Sequence, residues 1–244
     1  MRNPAQVSDR PIPAAALARL FDALPDVVFF VKDATGRYTH VNRTLVRRLG
    51  CSTDAAVTGR LPQQLFPAPL GATYAAQDQQ VLMTGKAIEN LLEVHLFARR
   101  APGWCLTCKY PLRDRDTVVG LIGISRDLGR PDEHSPIYAR LADVVRHLQT
   151  HYAEPVRMDA MARLAGMSIA QLERHWQRVF QLTPQQSLTK LRMDRAMQLL
   201  CAPGSIAAIA QACGYADQSA FTRQFHKLTG ATPAQYRALH AAEA

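Results

Sequence analysis

The sequence predicts two domains: an α+β domain with a five-stranded antiparallel sheet and flanking helices, followed by an all-α domain. Residues 129–136 (GRPDEHSP) are polar and contain two prolines and a glycine, which is typical of a linker. Short β-branched and aromatic runs alternate with helical stretches before this segment, and helical apolar spacing dominates after it. A chain of 244 residues is long enough for two domains of ordinary size.

The first half contains the predicted strands. Apolar, β-branched residues at 26–31 and 38–41 flank the turn sequence Lys-Asp-Ala-Thr-Gly, which predicts a hairpin. Asn42 is a good N-cap for a helix over 43–49, and Gly50 is expected to end that helix. The later elements are, in order, a helix over 72–84 and strands over 90–98, 103–112 and 117–125. This order is that of a five-stranded α+β sheet.

The five cysteines are scattered and odd in number, which is typical of reduced thiols: Cys51, Cys105, Cys108, Cys201 and Cys213. Cys105 and Cys108 have the spacing of a redox or zinc motif, but their flanking residues predict a strand. Residues three apart in a strand point to opposite faces. The nearest histidine, His95, stands alone in the sequence, so no metal site is predicted.

Several stretches of the first half resemble a PAS sensor domain over residues 20–128. They are LPDVVFFVKDATGRYTHVN, with Asn42 at its end, and the closing YPLRDRDTVVGLIGISRDLG. The resemblance implies either a small organic ligand between sheet and helices or a role in dimerisation without a ligand, and both remain open. The flavin motif Asn-Cys-Arg-Phe-Leu-Gln is absent, and the helix over 72–84 has no histidine for haem. His40 and His95 are expected to be surface or packed residues, and no cofactor beyond a small organic molecule is predicted.

The second half contains an internal repeat. The pattern around Met161, Gly166, Leu172 and Thr183-Pro184 recurs 48 residues later, with one inserted residue after the second glycine. A short helix, a glycine turn and a second helix is the outline of a helix-turn-helix. The repeat predicts two such units, over 156–180 and 205–228, joined by a helix over 184–200. Their buried sides are predicted to contain Met161, Leu164, Leu172, Trp176, Val179 and Phe180, and Ile206, Ile209, Phe221, Phe225 and Leu228.

The second half closely resembles the AraC/XylS-type DNA-binding domain. The strongest match is SIAAIAQACGYADQSAFTRQFHKLTGATPAQYR, preceded by LRMDRAMQLL. The resemblance implies recognition helices over 168–180 and 217–228. Their candidate DNA-binding residues are Ala170, Gln171, Glu173, Arg174 and Arg178, and Gln218, Ser219, Thr222, Arg223 and Lys227. Two departures are Gln181, where the family usually has glycine, and Arg157 at a common N-cap site.

These inferences give the domain limits: a disordered tail (1–15), a PAS domain (16–128), a linker (129–136) and a DNA-binding domain (137–240). The function implied is that of a one-component transcription regulator, with an activator's contact to RNA polymerase and a PAS-mediated homodimer as expected partners. The net charge of +9 fits a nucleic-acid partner without locating it, because the excess divides almost evenly between the halves. No apolar run reaches the ~20 residues of a membrane helix and no secretory signal is present, so a cytoplasmic protein is expected.

Enzymatic alternatives lack their motifs. The chain has no Gly-x-Ser-x-Gly, His-Glu-x-x-His, phosphate-loop or dinucleotide pattern. A methyl-acceptor DNA-repair protein fused to an AraC-like domain would need a four-cysteine zinc site, and only three cysteines precede the linker. DNA repair, or haem or flavin redox sensing in the first half, remains the alternative function, and a non-enzymatic protein is expected.

Overall fold

The apolar run near the start of the chain forms a strand in the interior of a sheet, and both faces of this strand are covered. Strand β1 (Val27–Asp33) is buried at its first six residues. The computed structural model describes residues 12–68, 70–96, 102–128 and 136–241. The chain divides into two units between Asp127 and Leu128, and each unit is described by itself.

The first unit combines one sheet with short helices. Its elements are α1 (Ala14–Phe21), β1 (Val27–Asp33), β2 (Tyr38–Val41), α2 (Arg43–Arg48), α3 (Pro62–Leu65), α4 (Leu70–Thr84), β3 (Ile88–Leu96), β4 (Pro102–Asp114) and β5 (Thr117–Asp127), with a 3-10 turn at Asp54–Ala56. The strand order is β2-β1-β5-β4-β3, and all neighbouring strands are antiparallel. The predicted α+β class with a five-stranded sheet is confirmed. Positions 97 and 98 of the predicted third strand lie outside the described residues.

The two faces of the sheet have different partners. Phe29 and Val31 pack with Ala18 of α1 on one face. Val28 and Phe30 join Leu45, Val81 and other residues of the helices on the opposite face. Alternation along β1 therefore supplies two hydrophobic layers from one short strand.

Asn42 joins three elements of this unit. Its Oδ1 accepts hydrogen bonds from the backbone N–H groups of Leu45 (3.3 Å) and Phe29 (3.0 Å). Its Nδ2 donates to the carbonyl oxygens of Val27 (2.8 Å) and Phe21 (3.2 Å). The predicted N-cap of α2 is thus also a buried connector between α1, β1 and α2.

Helix α1 was not predicted by the sequence analysis, and it begins within the segment that was predicted to be a disordered tail. Residues 14 and 15, assigned there to a disordered tail, form the first turn of α1, which follows Pro13. The helix packs on the sheet through Ala18, a tertiary contact that its own short sequence does not indicate. Residues 1–11 of the predicted tail lie outside the described part of the chain.

In the second unit, all regular secondary structure of the described residues is helical. Its helices are α5 (Pro136–His151), α6 (Met158–Leu164), α7 (Ile169–Phe180), α8 (Pro184–Leu200), α9 (Ile206–Ala212), α10 (Gln218–Thr229) and α11 (Pro233–Ala241). Residues 129–135 of the predicted linker are outside the described range. None of the described helices has the length and apolarity that a membrane crossing requires.

Most of the apolar residues predicted to be buried lie in the core of this unit, whereas Val179, Phe180 and Ile206 are only half-buried. Trp176 and Phe225 are almost fully buried, as predicted, and Trp176 Nε1 donates a hydrogen bond to Ser187 Oγ of α8 at 2.8 Å. Leu164, also predicted to be buried, is 46% exposed. The buried side of α6 therefore comes from Met161 and Ala162, and its last turn faces outward.

Helix α7 ends on a strained residue. Gln181 has φ 58° in the left-handed region, where the equivalent end of α10 has Gly230 at φ 76°. For a residue with a Cβ, the left-handed conformation costs roughly 1–2 kcal/mol of folding free energy. Glycine avoids this cost, but its greater freedom in the unfolded chain offsets part of the gain.

We therefore expect Gln181→Gly to raise the free energy of unfolding of the helical unit by about 0.5–1 kcal/mol. This free energy is measured by urea unfolding, followed by the fluorescence of Trp176. The chain has two tryptophans, so the measurement uses a Trp104→Phe background in which Trp176 is the only fluorescent tryptophan. Gly230→Ala is the reciprocal control and should lower the same quantity. A loss of stability in Gln181→Gly would show that the greater freedom of glycine in the unfolded chain outweighs the relief of the left-handed conformation.

Candidate nucleic-acid interface

Each predicted helix-turn-helix is present with a glycine at its turn. Gly166 lies between α6 and α7 with φ +62°, and Gly214 lies between α9 and α10 with φ +76°. This conformation favours glycine because it has no Cβ. The second helix of each pair, α7 or α10, is the one that the sequence analysis assigned to DNA recognition.

Side-chain caps fix where the two recognition helices begin. Ser168 Oγ accepts from the Gln171 N–H (3.3 Å), and Gln171 Oε1 accepts from the Ser168 N–H (2.9 Å). Asp217 Oδ1 accepts from the Ala220 N–H at 2.7 Å at the start of α10. Gln171 uses its carbonyl oxygen in this capping box, and its Nε2 group remains as a donor for a base.

The candidate DNA-binding residues face away from the core. Nine of them are exposed and Thr222 is half-buried; the exposed ones are Ala170, Gln171, Glu173, Arg174, Arg178, Gln218, Ser219, Arg223 and Lys227. The opposite sides of α7 and α10 are buried through Leu172 and Phe221, among others. Each helix is therefore amphipathic, with one polar face open to solvent.

The cations on these two faces are available to an anionic partner. Within the described residues, no ion pair involves Arg174, Arg178, Arg223 or Lys227. Other exposed arginines are paired, such as Arg146 with Asp143 at 3.0 Å. Unpaired, exposed guanidinium and ammonium groups suit contacts with phosphates and base edges.

Contacts between the two helix-turn-helix units set their relative position, and the sequence analysis did not identify them. Arg192 of α8 donates from Nε to the Tyr152 carbonyl (2.7 Å) and from Nη2 to the Glu154 carbonyl (3.0 Å). Its guanidinium lies 5.7 Å from the ring centre of Tyr215, next to the second turn. Arg192 therefore links the loop before α6 to the turn before α10.

Gly214 brings the same two regions into backbone contact. A Cβ at this position would lie 2.5 Å from the carbonyl oxygen of Ala153 and 2.8 Å from its Cα. A Cβ at Gly166 would meet no atom within 4 Å. The two glycines of the repeat thus share a backbone conformation but differ in what surrounds them.

The first unit has a cluster of buried polar residues on the face of its sheet that packs against α2 and α4. Lys32 Nζ donates to Asp78 Oδ2, and Lys109 Nζ donates to Asp78 Oδ1 at 2.7 Å. Lys32 Nζ also lies 4.1 Å from the ring centre of Tyr38. Burial lowers the pKa of Lys32 from 10.5 to about 8; Asp78 opposes this shift and Lys109 adds to it. Two buried lysines therefore share one carboxylate.

A second cluster on this face corrects the expectation that His95 stands alone. Glu93 is directly opposite Cys105 in the register of β3 and β4, and His95 lies two residues along β3 on the same face. His95 Nε2 is 3.0 Å from Glu93 Oε1. Burial acts to raise the pKa of Glu93, but His95, Lys109 and Thr107 outweigh it and lower that pKa to about 2. Burial raises the pKa of the Cys105 thiol well above its usual value.

A small cavity lies between the sheet and the helices beside these clusters. Its lining comes from the sheet, α2, α3–α4 and their loops: Val28, Phe30, Lys32, Tyr38, Leu45, Arg48, Phe66, Tyr74, Glu93, His95, Lys109 and Ser125. The cavity volume of about 20 Å³ is the space of one water molecule. Side chains fill most of the region where a sensor domain would hold a ligand.

Comparison with known proteins supports the assignment of both units. A family described as "Helix-turn-helix domain" matches residues 161–239, and one described as "PAS fold" matches residues 21–133. The transcriptional activator RhaS of Escherichia fergusonii is 35% identical over 100 residues, 41% of this chain and 36% of RhaS. RhaS of Shigella boydii is 33% identical over the same shares. The chain thus spans about a third of the length of these curated relatives.

Two solved structures that match part of this chain are each 30% identical to it. An AraC-type regulator from Chromobacterium violaceum is 30% identical and covers 43% of this chain and 96% of its own, with a TM-score of 0.41. The DNA-binding domain of AdpA, solved with a target DNA, is 30% identical over 43% of this chain and 95% of its own, also with a TM-score of 0.41. The duplicated helix-turn-helix, the two family matches and the RhaS similarity agree with the resemblances found in the sequence. The chain therefore carries a PAS-fold domain over residues 21–133, followed over residues 161–239 by a helix-turn-helix domain that is similar to the corresponding part of RhaS.

Proposed function

We propose that this protein is a sequence-specific, DNA-binding transcription regulator whose PAS domain supplies the regulatory input. The observation that carries the proposal is the pair of exposed, basic faces on α7 and α10, which are held in one unit by Arg192 and Gly214. Two recognition helices in one domain suit two neighbouring segments of the DNA major groove. The proposal places the protein in the cytoplasm with the DNA and assigns it no enzymatic activity.

Direct base recognition is assigned to Arg174 and Arg223, and phosphate contacts to Arg178 and Lys227. The two arginines are in equivalent places of the repeat, two residues before Trp176 and Phe225. Arginine recognises guanine through two hydrogen bonds, whereas phosphate contacts orient the protein without specifying sequence. The other candidate residues, Ala170, Gln171, Glu173, Gln218, Ser219 and Thr222, complete the two faces.

We expect Arg223→Ala to weaken binding to a cognate site by about 1–3 kcal/mol and to relax the preference at one base position. Lys227→Ala should weaken binding to all sequences alike and reduce the salt slope by about one. Cognate sites are selected from random DNA with the wild-type chain, and affinities are measured by fluorescence anisotropy at several salt concentrations.

Arg146→Ala is the matched control, because Arg146 is exposed in the same unit but pairs with Asp143 on α5. It should leave affinity and sequence preference unchanged. If Arg223→Ala lost the same amount of affinity for cognate and for random DNA, the proposed role of Arg223 in base recognition would be contradicted. Binding that does not weaken as salt rises would contradict the proposed interface as a whole.

Activation through RNA polymerase is part of the proposal, since the curated relatives are named transcriptional activators. Transcription in vitro from a promoter that contains the selected site measures it. Unchanged or reduced transcript levels on addition of the protein would contradict activation.

A homodimer formed through the PAS domain is the second proposed partner interaction. Apolar side chains are exposed on and beside α1, with Ile12 69%, Leu20 68% and Leu24 45% exposed. Exposed apolar groups that lie near each other in the chain favour association. A monomeric mass at micromolar concentration in sedimentation equilibrium would contradict the dimer.

The regulatory input has two forms in this proposal, a bound small molecule or dimerisation alone. The cavity of about 20 Å³ holds no more than a water-sized occupant as it stands. An organic ligand would require the lining side chains or the helices to move. Mass spectrometry of protein purified under native conditions distinguishes these forms by the presence or absence of a bound molecule.

A further inference from the structure

Three different metal-ligating groups meet on the inner face of the PAS sheet. One ligand atom each from Glu93, His95 and Cys105 lies within 4.8 Å of the other two. Within the described residues, this is the one group of histidine, cysteine and acidic side chains that comes together in this way. The strand register produces it, because Cys105 pairs with Glu93 across β3 and β4.

The donor set restricts which ion would bind. A thiolate and an imidazole with one carboxylate oxygen suit Zn²⁺ and related transition metals, and not Mg²⁺ or Ca²⁺, which take oxygen ligands. Ligand atoms about 2.0–2.3 Å from a tetrahedral zinc ion are roughly 3.3–3.8 Å apart. Starting from the limit of 4.8 Å, the three ligand atoms need to approach one another by about 1.5 Å at most to reach that geometry.

The surroundings offer support for a fourth ligand. Gln77 Nε2 of α4 donates to Glu93 Oε2 at 2.6 Å, which orients the carboxylate. Gln77 Oε1 is buried, and no described residue donates a hydrogen bond to it. A metal-bound water could donate to such an acceptor, and the adjoining cavity has the volume of one water molecule.

We propose that Glu93, His95 and Cys105 form a binding site for a divalent transition-metal ion of the zinc type, with water as the fourth ligand. Binding replaces the Cys105 thiol proton, which passes to solvent, by a metal–sulfur bond. The side chain of His95 is 12% exposed and gives the ion a path from solvent, whereas Glu93 is 2% exposed. The site shares no residue with the DNA-binding faces or with the Lys32–Asp78–Lys109 cluster, although Lys32 and Lys109 line the same cavity as Glu93 and His95.

Cobalt(II) titration of the metal-free full-length chain tests the proposal directly. A bound thiolate gives a sulfur-to-cobalt charge-transfer band in the near ultraviolet, and tetrahedral coordination gives intense visible bands. We expect both to saturate at one equivalent and to disappear when zinc is added. Atomic emission after dialysis against zinc should give one ion per chain.

Cys105→Ser should abolish the charge-transfer band, and Cys108→Ser is its matched control. Cys108 lies on the same strand three residues away, and its Sγ contacts Asn90 instead of the cluster. His95→Ala, at a partly exposed position, should weaken metal affinity at least tenfold and serves as the second test if Cys105→Ser does not fold by far-UV circular dichroism. A missing band in the wild-type chain, or a band that survives in Cys105→Ser or is lost only in Cys108→Ser, would overturn the proposal.

Discussion

Gly214→Ala should lower the free energy of unfolding of the helical unit by about 3 kcal/mol or more, and Gly166→Ala by only about 1 kcal/mol. Both glycines have positive φ, so alanine at either position is strained. Only at Gly214 would the new Cβ also overlap the backbone of Ala153, at 2.5 Å from its carbonyl oxygen. Backbone cannot move aside as a flexible side chain can, so the loop before α6 or the whole second turn must shift.

The consequence for DNA binding separates the two variants further. A shift at Gly214 moves α10 relative to the loop that Arg192 holds, and thereby moves one recognition face relative to the other. We expect Gly214→Ala to lose affinity for a selected two-part site by more than tenfold, while Gly166→Ala stays within about threefold at temperatures where both are folded.

Urea unfolding of both variants, followed by Trp176 fluorescence in the Trp104→Phe background, gives the stability difference. Anisotropy with the selected DNA gives the affinities. Equal destabilisation by the two substitutions would mean that the strained backbone conformation alone determines the effect. The close approach to Ala153 would then contribute nothing.

Local patterns predicted most of the fold because the relevant physics is local. The capping role of Asn42 and the amphipathic spacing around Trp176 depend on residues a few positions away, and both are present in the structure. The contacts of Arg192 with residues 40 and 38 positions earlier in the chain depend on how the helices pack, and no spacing rule indicates them.

The polar clusters inside the PAS domain also depend on contacts between elements that are distant in the sequence, and spacing rules do not indicate such contacts. Strand periodicity correctly placed Cys105 and Cys108 on different sides, since Cys105 is fully buried and Cys108 is partly exposed. It could not give the register between β3 and β4, which decides that Cys105 meets Glu93 and not a neighbour. A one-residue slip would have placed the thiol on the other face.

Asp78→Asn should destabilise the PAS domain by about 3–5 kcal/mol, because it removes the carboxylate that two buried ammonium groups contact directly. Lys32 and Lys109 are 2% and 3% exposed, and Asp78 is the carboxylate that both contact. An asparagine keeps the shape and one acceptor oxygen but not the charge. The Trp176→Phe background makes Trp104 of β4 the fluorescent probe of this domain.

Lys32→Met is the informative comparison, because it leaves Asp78 and Lys109 as a one-to-one pair 2.7 Å apart. The pKa of Lys32 falls from 10.5 to about 8 on folding, chiefly through burial, so the unfolded chain binds more protons than the folded one between these pH values. Stability should therefore rise with pH from about 8 towards 10.5 in the wild type relative to Lys32→Met.

We expect Lys32→Met to be much less destabilising than Asp78→Asn at pH 7. Lys32→Met removes a buried positive charge and leaves Lys109 paired with Asp78, whereas Asp78→Asn removes the carboxylate that both lysines contact. A larger loss in Lys32→Met would mean that the contact of its ammonium with Tyr38 outweighs the burial of the charge.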